Sequence, residues 1–189
     1  VSLQLTPLPP VVAVTAVLQR IGGLSGTLWV GIDGKGASGK TSFATRLAER
    51  LPTAAVIHID DFARPELSGW ERDRFVEQVL TPIRSGRPGR YQRWDYRTDR
   101  CIGWSDVPLG EPIIVEGVSA TDVRLGVPWA CTVWVEAPAE LRLHRARERD
   151  GEEMMHRWLT DWMPSEDAYE AAQRPQDRVD LVVDGGSCR

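Results

Sequence analysis

Short apolar runs recur along the chain, and helical repeats of apolar positions separate them. Leu28, Trp29, Val30, Gly31 and Ile32 form the first run, which ends at Asp33. Residues 54–59 form a second, ending at Asp60-Asp61, and Pro112-Ile113-Ile114-Val115 a third, ending at Glu116-Gly117. Residues 132–135 and 179–183 are a fourth and a fifth, the last running to Asp184. Runs this short read as buried strands. Between them, Phe43, Leu47 and Leu51 repeat every four residues and predict a helix from about 40 to 50, which Pro52 ends. Phe75, Val76, Val79 and Ile83 share one side of a predicted helix over 70–84. Pro138 opens another through Leu141 and His144, and 152–173 is helical with a break expected near Pro164. Residues 11–18 follow Pro7, Pro9 and Pro10 without preceding basic residues, which suits a helix start better than a signal peptide, with Gly22-Gly23 as the stop. Residues 85–111 lack periodicity and are rich in Gly, Pro, Arg and aromatics. A long irregular excursion is expected there, of a kind that is often functional. Apolar strands alternating with helices predict a three-layer α/β fold with a mostly parallel five-stranded sheet.

Composition narrows the function classes. The 189 residues suit one domain, 1–189, and 42% hydrophobic with 26% charged residues is ordinary for a globular chain. A net charge of −4 gives no general attraction to nucleic acid or to anionic lipid. No apolar run reaches the roughly 20 residues of a membrane helix. Cys101, Cys131 and Cys188 are odd in number, far apart and without zinc spacing, so a reducing, cytoplasmic setting is expected. The eight tryptophans read as core packing and lid anchors rather than base-stacking groups. Self-association is left open by the sequence.

The strongest chemical signal is Gly34-Lys35-Gly36-Ala37-Ser38-Gly39-Lys40-Thr41, a complete GxxxxGK[ST] between a buried strand and an amphipathic helix. Glycines let the backbone wrap an anion with its N–H groups inward, and the helix N-terminus adds partial positive charge. Gly34, Gly36, Ala37, Ser38, Gly39 and Ser42 are thus expected in a nucleoside triphosphate cradle. Lys40 would reach the outer phosphates and Thr41 would hold Mg²⁺. In a parallel sheet, ligands gather at the carboxyl ends of the strands. Asp60 and Glu116 stand at such ends, where a carboxylate can bind Mg²⁺ or take a proton from a hydroxyl. A turn or cap role is the structural alternative for both. Arg142, Arg145 and Arg149 share a helix face and could close as a lid, over about 144–153, or simply face solvent.

Together, residues 34–41, Asp60-Asp61-Phe62, Ile114-Val115-Glu116-Gly117 and 145–150 resemble the uridine kinase family of P-loop kinases, whose relatives include pantothenate kinase and phosphoribulokinase. The C-terminal stretch with Tyr169, Pro175 and Asp180-Leu181-Val182-Val183 is also similar, so the resemblance runs from about Trp29 onward. It implies that Asp60 is the catalytic base near Mg²⁺ and that Arg145 and Arg149 are lid arginines. It also implies an acceptor element, matched nearest by Trp94-Asp95-Tyr96 with Tyr91 just before it. The departures lie mainly at the acceptor: Ala63 follows Phe62 where nucleoside-phosphorylating members carry tyrosine, Trp94 replaces a tyrosine, and Asp99 stands near an expected histidine. Lys35 also takes a position usually held by glycine.

The expected function is transfer of the ATP γ-phosphoryl group to a hydroxyl of a small molecule. A nucleoside is the first acceptor class; a vitamin precursor, sugar or antibiotic is the alternative, and a regulatory ATPase is the alternative outside the kinases. Tyr91, Arg93 and Asp95 are the acceptor candidates, with Asp60 and Glu116 beside them.

Overall fold

The computed structural model describes residues 5–67, 69–95 and 97–188. In chain order, α1 (Pro10–Ile21) leads to β1 (Trp29–Asp33), the glycine-rich loop, α2 (Lys40–Ala48) and β2 (Ala55–His58). A 3₁₀ turn (Ile59–Phe62) follows, then α3 (Arg72–Phe75), a π turn (Val76–Leu80) and α4 (Thr81–Arg84). Next come β3 (Gly89–Asp95), β4 (Arg100–Val107), β5 (Ile113–Glu116), β6 (Trp129–Glu136) and α5 (Ala139–Asp150). The chain ends with α6 (Met155–Arg157), a second π turn (Trp158–Trp162), α7 (Met163–Gln173) and β7 (Leu181–Asp184).

The main sheet has the order β2-β5-β1-β6-β7, and every pairing in it is parallel. Alternating side chains feed two cores, one on each face. Val30, Ile32, Ile114 and Val133 meet Val17 of α1 and Phe43 and Leu47 of α2. On the other face, Trp29, Ile57, Ile113 and Val115 meet Phe62, Phe75, Tyr91 and Val107. Phe62 stacks on Tyr91 at 5.0 Å and meets Phe75 edge-on at 5.6 Å. Burial of this ring pins the 3₁₀ turn, and so fixes Asp60 at the end of β2. Among the described residues, no helix is long and apolar enough to cross a membrane.

Residues 85–111 differ from the expected irregular excursion. They contain an antiparallel ribbon of β3 and β4, from Gly89↔Val107 to Asp95↔Arg100, with an irregularity at Arg93/Trp94. Only its base is buried, through Tyr91 and Val107, while Ile102 and Trp104 stand exposed. A ribbon that projects from the core has no continuous buried face, so its alternation is weak. The expected break near Pro164 is also replaced, since helical structure runs through it. Both π turns end two residues before a proline, Pro82 or Pro164. Proline cannot donate to the carbonyl four residues back and its ring clashes there; local widening accommodates both.

Gly117 ends β5 with φ +151, and a Cβ there would lie 2.4 Å from the Ile59 Cβ. Gly117→Ala should therefore lose about 2–4 kcal/mol through overpacking and backbone strain, a fall in Tm of roughly 4–16 °C. Gly110→Ala, also at positive φ but with nothing within 4 Å, is the control and should lose far less. Equal losses in thermal melts would remove the contact argument.

Candidate active site

The glycine-rich loop starts where β1 ends, and Asp33 fixes it. This carboxylate is fully buried and accepts five hydrogen bonds: from the Gly34, Ser119 and Thr121 amides, the Thr121 hydroxyl and the Tyr169 phenol, all within 2.7–2.9 Å. Three separate segments are thereby held to one point. Lys40 opens α2, is largely buried, and donates to the Lys35 carbonyl at 2.7 Å, folded back over its own loop. Gly36, Ala37, Gly39, Lys40, Thr41 and Ser42 line a cleft of ≈ 1620 Å³. Gly34 and Ser38 lie buried behind it.

The strand-end acids meet in this cleft. Thr41 Oγ1 donates to Glu116 Oε1 at 3.1 Å, and His58 Nδ1 lies 2.6 Å from the same oxygen. Hydrogen bonding to Glu116 raises the His58 pKa above 6.5 despite the opposing effect of burial. Asp60 is exposed toward the cleft, with neighbouring groups close enough to desolvate its carboxylate in part. That desolvation, followed by the Glu116 charge, raises its pKa above 3.8, while Lys40, Arg149 and His58 pull it down. Asp61 is held by the Tyr91 hydroxyl at 3.1 Å and by Arg93 at 3.6 Å.

The arginines of α5 divide. Arg149 and Asp150 line the cleft, paired at 2.9 Å, with the Trp158 indole donating to Asp150. Arg145 also lines it, but its guanidinium donates to the Ala37, Ser38, Gly185 and Gly186 carbonyls at 3.0–3.4 Å. That binds Arg145 to the base of the loop, whereas Arg149 acts electrostatically on Asp60 and Glu116. Arg142 is buried and pairs with Glu166 at 3.0 Å.

The acceptor candidates separate as well. Asp95 lines the cleft and accepts from the Arg97 amide and the Thr98 hydroxyl. Tyr91 does not line it. It is 2% exposed inside the aromatic core, so its reach is through Asp61. Arg93 likewise turns to Asp61. Trp94 lines the cleft under the Arg64 guanidinium, whereas Tyr96 lies outside the described residues.

Several site residues were not singled out from the sequence. Glu166 accepts from the Gly36 amide at 2.9 Å, and a Cβ at Gly36 would lie 2.6 Å from both Glu166 Oε1 and the Trp158 ring. Lys35 pairs with Asp167 and Glu170 at 2.6 and 2.5 Å, which explains how the loop carries lysine there. Asp167 and Glu170 lie one helical turn apart, a readable spacing, but their partner is 132 residues away from Asp167 and leaves no local signal.

Residues 30–185 match the family model described as AAA domain. The chain belongs to the AAA domain family. Solved structures share the P-loop NTPase fold of this chain, and two of them show the likeness. A possible uridine kinase from Bacillus stearothermophilus is 21% identical, covering 90% of this chain and 97% of that one, with a TM-score of 0.68. A candidate fructose transport system kinase from Silicibacter sp. TM1040 is 18% identical, covering 93% and 98%, with a TM-score of 0.71. Among curated proteins, the inorganic pyrophosphatases TTM1 and TTM2 of Arabidopsis thaliana are each 26% identical over 113 residues, 53% of this chain. These matches span only 17% and 16% of those two proteins.

The Glu116 contact generates a measurable pH effect. NMR titration should place the His58 imidazole pKa above 6.5 in the wild type, and Glu116→Gln should lower it, since the charge and the strongest acceptor are lost while burial remains and only Asp60 and Asp61 still raise it. A His58 pKa unmoved by that change would contradict the pairing.

Proposed function

We propose that this chain is an ATP-dependent phosphotransferase that moves the γ-phosphoryl group of ATP to a hydroxyl of a small molecule. The observation that carries this reading is the placement of Asp60. Its carboxylate opens onto the same cleft as Lys40 and Thr41, at the end of the strand next to β5, and feels both Lys40 and Arg149. A nucleotide switch needs the loop but has no need of a carboxylate poised beside it for an incoming hydroxyl.

Thr41, Glu116 and Asp60 offer hard oxygen donors suited to Mg²⁺, directly or through water. Among the described residues, no three His, Cys, Asp or Glu side chains form a protein-only cage, which suits an ion completed by phosphate oxygens and water. When bound, Mg²⁺ would neutralise charge on the outer phosphates. Lys40 leaves the Lys35 carbonyl to contact those phosphates. Asp60 accepts the proton of the acceptor hydroxyl, and the upward direction of its pKa strengthens it as a base. Arg149 offsets charge on the transferring group. Arg145 holds the loop and α5 together, and its role toward phosphate is the weaker of the two.

A nucleoside acceptor, which the resemblance implies, finds little support here: Tyr91 is sealed in the core and Arg93 is committed to Asp61. The acceptor is therefore assigned only as a small-molecule alcohol. A reducing, cytoplasmic setting fits the three free cysteines.

Asp60→Asn should lower kcat for acceptor-dependent ADP release by about 10²–10⁴-fold and change the affinity for an ATP analogue only a few-fold. A variant within a few-fold of wild type moves the base elsewhere. ADP release indifferent to every acceptor in a metabolite panel would favour the regulatory ATPase.

A further inference from the structure

The cleft carries a second cationic group that phosphoryl transfer leaves without a task. Arg72, the first residue of α3, and Arg124, in the turn after β5, both line the cleft and both hold the carboxylate of Asp122. Asp122 is fully buried. Its oxygens accept from Arg72 Nε at 2.9 Å, Arg124 Nε at 2.9 and 3.0 Å, and Gln173 Nε2 at 2.8 Å. Burial would raise its pKa, but hydrogen bonds from Arg124 and Gln173 and the Arg72 charge hold it well below the ordinary carboxylate range. Two guanidinium groups against one carboxylate leave one surplus positive charge.

Both guanidinium groups are oriented but not used up. Arg72 spends Nε on Asp122 and Nη2 on Ser119 Oγ, and Arg124 spends Nε and Nη2 on Asp122. Among the described residues, none accepts a hydrogen bond from the Nη1 of either. Ser119 adds a third group: its hydroxyl accepts from the Trp70 indole at 2.9 Å and from Arg72 at 3.3 Å, so its own proton is left to donate. Ser119 also sits at φ +58, a costly backbone state for serine, held by its amide bond to Asp33. Planar, fixed guanidinium donors beside a hydroxyl match the oxygens of a phosphate or carboxylate.

We infer that Arg72, Arg124 and Ser119 form an oxyanion subsite, so that the acceptor is an alcohol bearing a phosphate or carboxylate group. The inference rests on the kinase reading and deepens it. An anchor on a non-reacting part of the acceptor orients its hydroxyl toward Asp60 and lets remote binding energy assist the chemistry.

The test uses the full chain with its phosphate loop saturated by Mg²⁺ and AMP-PNP, so that added anions cannot bind there. Glycerol 3-phosphate, glycerate and glycerol, and ribose 5-phosphate with ribose, are titrated by calorimetry and tryptophan fluorescence; Trp70 lies against Arg72 and should report. At least one charged compound should bind tenfold or more tightly than its neutral counterpart. Arg124→Ala should lose that preference and Arg124→Lys should keep part of it. Arg72 and Gln173 still hold Asp122, so both variants should stay folded, with Arg124→Ala melting somewhat below wild type and Arg124→Lys nearer to it. If no charged compound outbinds its neutral counterpart, or Arg124→Ala binds like wild type, the arginines only brace Asp122. If Arg124→Ala unfolds, the wild-type comparison still decides. Failure of AMP-PNP to bind would instead overturn the kinase reading.

Discussion

The Asp33 carboxylate is the constraint on which the site depends. A fully buried charge is costly unless every acceptor position is filled, and here five donors fill it. The donors come from the first residue of the phosphate loop, from the loop after β5 and from α7. None of these segments can move without leaving a donor or the charge unsatisfied. The glycine-rich loop, the Ser119 corner of the cleft and α7 are therefore set by one group.

From that point α7 extends the control to α5 and the glycine-rich loop. Glu166 receives the Gly36 amide and the Arg142 guanidinium at once, and Lys35 adds two ion pairs to the same helix. Removing one partner of a buried pair such as Arg142–Glu166 costs far more than the pair gains over an apolar replacement. Its value is positional: α5, α7 and the loop are locked in one geometry. That leaves Arg149, beyond this lock and paired with Asp150, as the α5 arginine placed to act on the cleft.

How much was legible in the sequence follows from where the determining interactions lie. The phosphate loop, the strand-end positions of Asp60 and Glu116 and the strand–helix alternation rest on local patterns, and the structure shows the same parallel architecture. The β3–β4 ribbon was not legible, because only its base packs on the core. Tyr91 looked like an acceptor contact by its place beside Trp94-Asp95, yet the inward phase of the ribbon buries it against Phe62. Glu166, His58 and the reach of Arg72 to Asp122 are long-range pairings, and no spacing along the chain announces them; the Asp122–Arg124 pair is local, but nothing in it announces its place in the cleft.

The central claim is that the loop between β1 and α2 binds a nucleoside triphosphate through Lys40. Calorimetric titration of the full chain with AMP-PNP and Mg²⁺, wild type beside Lys40→Ala, tests it most directly. The account predicts one saturable site in the wild type, weakened tenfold or more in a variant that melts at nearly the same temperature. Equal affinity in the two proteins, or no binding by the wild type, would contradict it.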